Sequence, residues 1–103
     1  QSQVYVTAGT SIEDDVFIGP GAITTNDDAV GRPGPGEALR GPRIERGARV
    51  GGAVTLTPGV VIGREAFIGA GAVVTRDVPA RTRAYGVPAR VVGDVPEAEW
   101  LAD

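Results

Sequence analysis

The sequence repeats with a period of six residues. Counting in sixes from Ile44, and again in a separate block from Val6, always meets an aliphatic side chain. These lead positions are Val6, Ile12, Ile18, Ile44, Val50, Leu56, Ile62, Ile68 and Val74. Isoleucine, leucine and valine together fill only 24 of the 103 positions, so an unbroken aliphatic series at this spacing is not a chance pattern.

A period of six matches neither the two-residue alternation of a half-buried strand nor the 3.6-residue turn of a helix. It is typical of a parallel β-helix, in which each unit is a short strand followed by a turn. The position four residues after each lead is also small or β-branched, as at Ala48, Val54 and Ala66. Three units close one coil, so nine units predict an all-β prism of three coils stacked about 4.8 Å apart.

Glycine follows several lead residues directly, for example Gly19, Gly51, Gly63 and Gly69. Glycine is favoured where the backbone needs a positive φ or where another backbone approaches closely. We therefore expect a turn at each of these positions.

The repeat is interrupted once and then ends. Residues 24–43 break the phase and are rich in Asn, Asp, Gly and Pro, which predicts an inserted loop. Residues 1–79 are thus expected to form the β-helix with this insertion, and residues 80–103 a C-terminal extension. In the extension, residues 86–90 are predicted to leave the prism, and residues 96–101 to form a short helix capped by Asp94.

Composition excludes several classes of site. The chain has no Cys and no His, which removes disulfides, thiolate nucleophiles, His-based metal sites and an imidazole base, and predicts no metal centre. A net charge of −3 argues against nucleic-acid binding. The longest apolar run is too short for a membrane span, and no signal peptide is visible. These features favour a cytoplasmic protein; a start without Met suggests a processed chain or an excised piece.

Residues 68–79 (IGAGAVVTRDVP) and 86–90 (GVPAR), together with the hexapeptide repeat, resemble the left-handed β-helix acyltransferases. Residues 12–27 are most similar to one branch, the N-acetyltransferases of nucleotide-linked 3-amino sugars. The resemblance implies a left-handed helix and a homotrimer that binds acetyl-CoA between neighbouring prisms. The positions that match the family's cofactor contacts are Gly52, Ala70, Thr75, Arg76 and Arg90.

Residue chemistry agrees with those positions, because small residues admit a thin pantetheine arm and arginines pair with phosphates. Many members of the family use a loop His as general base, and this chain has none. The missing base favours an amine acceptor, which is partly neutral near pH 7 and attacks a thioester once positioned. Asn26 is the predicted catalytic orienting group, with Asp27 as a proton acceptor and Asp28 and Glu37 as contacts to the sugar substrate.

The leading prediction is therefore an acetyl-CoA-dependent N-acetyltransferase for a nucleotide-linked amino sugar. Two alternatives stay open: an acyltransferase with a different small-molecule acceptor, and a non-catalytic β-helix used as a trimerisation or scaffold module.

Overall fold

A computed structural model describes residues 4–26 and 40–101 of the chain. Nine two-residue strands form three parallel sheets, one for each face of a triangular prism. They are β1 (Ser11–Ile12), β2 (Phe17–Ile18), β3 (Ile23–Thr24), β4 (Arg43–Ile44), β5 (Arg49–Val50), β6 (Thr55–Leu56), β7 (Val61–Ile62), β8 (Phe67–Ile68) and β9 (Val73–Val74). Two longer strands, β10 (Thr82–Tyr85) and β11 (Arg90–Asp94), and a 3-10 turn (Glu97–Glu99) follow.

The register of the strands stacks each coil on the next. The strand order is β1-β4-β7 on the first face, β2-β5-β8 on the second and β3-β6-β9 on the third, with neighbours in each order hydrogen-bonded. Lead residues lie in register along each face, as with Ile12, Ile44 and Ile62. The predicted all-β class, a parallel β-helix of hexapeptide repeats, is confirmed.

The core is a ladder of lead residues with small residues packed between them. In the second and third coils every lead residue is buried, and so are the residues four positions later. The buried set includes Ile44, Val50, Leu56, Ile62, Ile68, Val74, Ala48, Val54, Val60, Ala66 and Ala72. Coils packed at the spacing of a sheet leave no room for large side chains at the corners, which explains why those positions are small.

Of the two reasons for glycine after a lead residue, the structure shows the close approach of another backbone and not a positive φ. Gly51 has an ordinary φ, but a Cβ added there would lie 2.7 Å from the Ala70 backbone nitrogen in the next coil. This glycine is therefore needed for close approach of the coils. Positive φ occurs two positions further on, at glycines such as Gly71 and also at Ala53 and Glu65.

The loop predicted over residues 24–43 includes two residues that lie in strands. Thr24 belongs to β3 and Arg43 to β4. Thr24 takes the lead position above Leu56, and it is buried although it is polar. Its hydroxyl accepts a 2.7 Å hydrogen bond from the Thr7 backbone N–H and donates to the Tyr5 carbonyl oxygen. A polar residue thus occupies a lead position of the first coil. A search for aliphatic residues does not detect it.

The C-terminal extension also differs from the prediction. Residues 86–90 do not leave the prism. Residues 86–89 connect β10 to β11, which begins at Arg90, pairs antiparallel with β10 and prolongs the second face. The predicted helix is only the 3-10 turn Glu97–Glu99, whose N-cap is Pro96 with no side-chain cap, so the predicted Asp94 cap is wrong. Within the described residues no helix is long and apolar enough to cross a membrane.

Candidate functional site

The predicted cofactor residues gather around the third face of the prism. Gly52 and Ala70 lie at the corner that precedes β6 and β9, one coil apart. The Gly71 N–H donates to the Gly52 carbonyl oxygen over 2.9 Å, which ties the two turns together. A Cβ at Gly52 would approach the Pro20 carbonyl oxygen to 3.1 Å, so this corner presents mostly backbone. Its surface suits a thin ligand better than a bulky one.

A ladder of threonines marks the opposite corner of the same face. The hydroxyl of Thr25 donates to the Leu56 carbonyl oxygen at 3.0 Å. The hydroxyl of Thr57 donates in the same way to the Val74 carbonyl oxygen at 2.9 Å. Thr75 is the last of the series and is exposed, and its hydroxyl has no hydrogen-bond partner among the residues that the structure describes. It is therefore free to bind a ligand.

The segment 86–89 runs beside β9 and completes this region. The Val73 N–H donates to the Gly86 carbonyl oxygen at 3.1 Å, and the Ala89 N–H donates to the Val73 carbonyl oxygen at 2.8 Å. Arg90 follows this segment as the first residue of β11 in the second-face sheet, so it lies at the corner between the second and third faces. Gly52, Ala70, Thr75 and Arg76 lie at the corners on either side of the third face, and Arg90 lies just beyond the segment 86–89.

Two of these positions carry exposed cations. Within the described chain neither Arg76 nor Arg90 has an ion-pair partner, and Arg90 makes only a long contact of 3.4 Å to the Ala89 carbonyl oxygen. Arg43, for example, is paired with Glu13 at 2.8 Å, whereas Arg40 and Arg83 also have no ion pair among the described residues. An unpaired arginine fork is well suited to phosphate oxygens, which it binds through two parallel hydrogen bonds.

Asn26 has a structural contact that the sequence did not predict. Its side-chain Nδ2 donates to the Ala8 carbonyl oxygen at 3.0 Å, and its own carbonyl oxygen accepts from the Arg40 N–H at 3.0 Å. The two bonds tie both ends of the inserted loop to the N-terminal arm. Asn26 follows the Thr25 position, on the same corner as Thr75 and two coils away, roughly 10 Å at the spacing of a sheet. Asp27, Asp28 and Glu37 lie outside the described residues.

A buried carboxylate, Glu65, holds the end of the chain. Glu65 is only 3% exposed and accepts the Leu101 N–H at 2.6 Å and the Arg81 guanidinium at 3.0 Å. The Leu101 hydrogen bond lowers the pKa of Glu65 below its ordinary 4.5 against an opposing effect of burial, and Arg81 and Arg64 lower it further. The carboxylate is thus ionised at neutral pH.

The same cluster includes the only tryptophan of the chain. The Arg81 guanidinium lies 3.7 Å from the centre of the Trp100 ring, and the indole Nε1 donates to the Val95 carbonyl oxygen. We call residues 96–101 the strap, because these contacts fasten them across the corner between the first and second faces. The strap lies away from the third face. The sequence predicted a short helix over these residues but not their contacts with Glu65 and Arg81.

In the described ranges 4–26 and 40–101, no group of three or more acidic, Cys or His residues is placed to hold a metal ion. The third face therefore offers backbone, one free hydroxyl and two cations. Groups of this kind are chemically suited to anions and thin polar ligands.

Comparisons with known proteins find similarity to hexapeptide transferases. Residues 41–76 match the family model of the bacterial transferase hexapeptide, with six repeats. Serine acetyltransferase of Escherichia coli strain K12 is 37% identical over 84 residues, which cover 76% of this chain and 31% of that protein. The chain therefore spans about a third of the length of this relative.

Two solved structures illustrate the similarity. Serine acetyltransferase from Brucella abortus strain S19, in complex with coenzyme A, superimposes with a TM-score of 0.74 and 27% identity, over 90% of this chain and 38% of that one. A serine O-acetyltransferase from Brucella melitensis gives a TM-score of 0.74 and 26% identity over the same shares of 90% and 38%.

Proposed function

We propose that this chain is the cofactor-binding β-helix of an acetyl-CoA-dependent acetyltransferase. One observation carries the proposal: two unpaired arginines, a free threonine hydroxyl and a small-residue corner all border the third face. Coenzyme A combines a thin pantetheine arm with an anionic nucleotide, and these groups meet those requirements. The similarity to a serine acetyltransferase that was solved with coenzyme A supports the same ligand.

We assign each of these residues to a different part of the cofactor. Gly52 and Ala70 leave space for the pantetheine arm, whose amides bind backbone groups of the turns. The Thr75 hydroxyl donates or accepts a hydrogen bond with the cofactor. Arg76 and Arg90 bind the phosphates. In this arrangement binding energy from the nucleotide end holds the thioester in place for reaction.

For the acceptor we propose an amine, carried by a nucleotide-linked amino sugar. The lone pair of the neutral amine attacks the thioester carbonyl carbon, and backbone N–H groups near the turns stabilise the oxyanion. The C–S bond then breaks, an amide forms and CoA leaves as a thiolate. The nitrogen loses its extra proton to solvent or to a loop carboxylate such as Asp27. No imidazole is needed, and these 103 residues contain none.

A second candidate is a hydroxyl acceptor, as in serine O-acetylation, and the similarity to serine acetyltransferases favours it. A hydroxyl must lose its proton as it attacks, so this reaction needs a general base. These 103 residues include no His to serve as that base. The base would then be a residue other than His, such as a loop carboxylate, or would come from a part of the protein outside these 103 residues. We propose a trimer in which neighbouring prisms share the cofactor cleft, so a monomer would be inactive under either candidate.

The acceptor is tested by measuring CoA release from acetyl-CoA with nucleotide-linked amino sugars and with serine. We expect release with an amino sugar, at a rate that rises with pH as the amine becomes neutral. CoA release with serine and with no amino sugar would favour the hydroxyl acceptor over the amine. No release with any acceptor from a folded assembly that binds CoA would contradict catalysis and favour a scaffold role.

Asn26 is proposed as an orienting residue at this site. Asn26→Ala removes the bond to Ala8 and the amide next to the inserted loop. We expect kcat to fall about tenfold or more while CoA affinity stays nearly constant, because Thr75 and Arg76 lie two coils away. Asn26→Asp keeps the shape but lacks the donor, and we expect it to behave like Asn26→Ala. An unchanged kcat in both variants would leave Asn26 with its structural role alone.

A further inference from the structure

The C-terminal end of the prism presents an exposed strand edge. Among the described residues β11 pairs with β10 alone, so its second edge has no strand beside it. Val91 and Val92 in this strand are 50% and 56% exposed. Unpaired strand edges with apolar side chains are templates for pairing with another chain. The edge lies at the end of the stack, in line with the strands of the second face.

The sequence of this strand is complementary to itself. It reads Arg90-Val-Val-Gly-Asp94, with a cation at one end and an anion at the other. Neither end residue has an ion-pair partner among the described residues. A second copy placed antiparallel about Val92 would bring Arg90 opposite the partner's Asp94 at each end and Val92 opposite itself at the centre. Opposite charges at directly facing positions stabilise an antiparallel pair.

A parallel arrangement lacks this complementarity, because it places like charges beside each other. Charged ends usually protect an edge from pairing, but here they select one partner and one orientation. Val92 has no cross-strand partner on β10, since the register shifts between Arg83 and Ala84. Val92 is also the most exposed apolar residue of the strand, and it lies at the centre of the self-complementary stretch.

We propose that β11 is the contact through which two copies of this chain associate end to end. The two-fold axis passes through Val92, and the second-face sheet of one prism continues into that of the other. This contact is isologous, with the same surface used by both copies. It is compatible with side-by-side assembly of the prisms, because it uses the end of the stack and leaves the faces free. Arg90 has donors on two edges of its guanidinium, so an Asp94 contact leaves donors for a phosphate.

The contact is tested by sedimentation at tens of micromolar protein. We expect the unmodified chain to have twice the mass of Val92→Lys, which places two cations at the centre of the pair. Asp94→Arg places two arginines opposite each other at each end, and we expect association at least tenfold weaker. The double change Arg90→Asp with Asp94→Arg restores the pairs with reversed polarity, so association should return. Asp14→Arg makes the same charge change at the other end of the prism and should have no effect.

Thermal unfolding by circular dichroism shows whether each variant is folded. Equal masses for the unmodified chain and Val92→Lys would overturn the proposal. A folded double variant that stays dissociated would overturn the charge pairing that gives the contact its orientation. Both readouts are independent of acetyl transfer, so failure of the proposed activity would leave this test unaffected.

Discussion

The first coil and the third coil have the same sequence pattern and different environments. Ile12, in the first coil, is 42% exposed, whereas Ile62, its counterpart in register, is 0% exposed. The third coil is covered by β10 on its second face, by the segment 86–89 on its third face and by Val78, which bridges to Ile62, on its first. Within the part of the chain that the structure describes, the first coil has only residues 4–10 above it. In a solenoid a repeat is stabilised by its neighbours, so position in the stack determines the energy of identical residues.

The open end of the first coil is lined by aliphatic and aromatic side chains. A hollow of about 450 Å³ lies among Val4, Val6, Val16, Phe17 and Ile18. The side chains that line it are apolar, although polar backbone groups share its surface, and it lies at the opposite end of the stack from Arg76 and Arg90. The interior of the first coil also depends on hydrogen bonds from Thr24 rather than on a full set of aliphatic contacts. We therefore expect this end to unfold more easily than the other.

The largest effect is expected in the third coil. Ile62→Ala removes a completely buried side chain between two coils and leaves a cavity that the backbone ladders prevent from closing. The free energy of unfolding should fall by about 2–5 kcal/mol, measured by urea denaturation. A loss below about 1 kcal/mol would show that the third coil is no better packed than the first.

A smaller effect is expected at the strap. Glu65→Gln keeps an oxygen for Leu101 but loses the charge that pairs with Arg81, and should cost about 1–2 kcal/mol at pH 7. Trp100 fluorescence reports the release of the strap directly, because it is the only tryptophan. Glu97→Gln, an exposed acid on the strap itself, is the control and should change little.

The pH dependence follows from the lowered pKa of Glu65. The folded state prefers the ionised form, so its contribution is complete above the ordinary value of 4.5 and is lost as pH falls through the lower folded value. The difference in melting temperature between the unmodified chain and Glu65→Gln should therefore shrink in acid. A constant difference down to pH 3 or so would contradict a role for the charge.

The smallest effect is expected at the open end. Ile12→Ala removes a side chain that already contacts solvent, and should cost about 1 kcal/mol or less. Hydrogen exchange of the β1 and β7 amides would compare the two coils without mutation, with faster exchange expected in β1. Equal protection would show that the first coil opens only when the whole prism unfolds.

The period of six was sufficient to predict the coils, because stacking in register forces the same side-chain class into each lead position. The cofactor positions Gly52, Ala70, Thr75 and Arg76 were predicted from the resemblance to the β-helix acyltransferases, and the stack brings them to the corners of one face. The period could not predict Thr24, whose partners come from the N-terminal arm, or the β10–β11 hairpin, which forms after the repeat has ended. Glu65 and the strap depend on contacts between residues 36 apart. Such pairs leave no local pattern.

The central claim is that the third face binds coenzyme A, and calorimetric titration with CoA tests it most directly. The account predicts about one site per chain, with affinity at least tenfold weaker in Arg76→Ala and in Arg90→Ala. Arg43→Ala, which removes the same charge from the first face, should bind as the unmodified chain does. No binding by a folded assembly, or equal loss of affinity in Arg43→Ala, would contradict the claim.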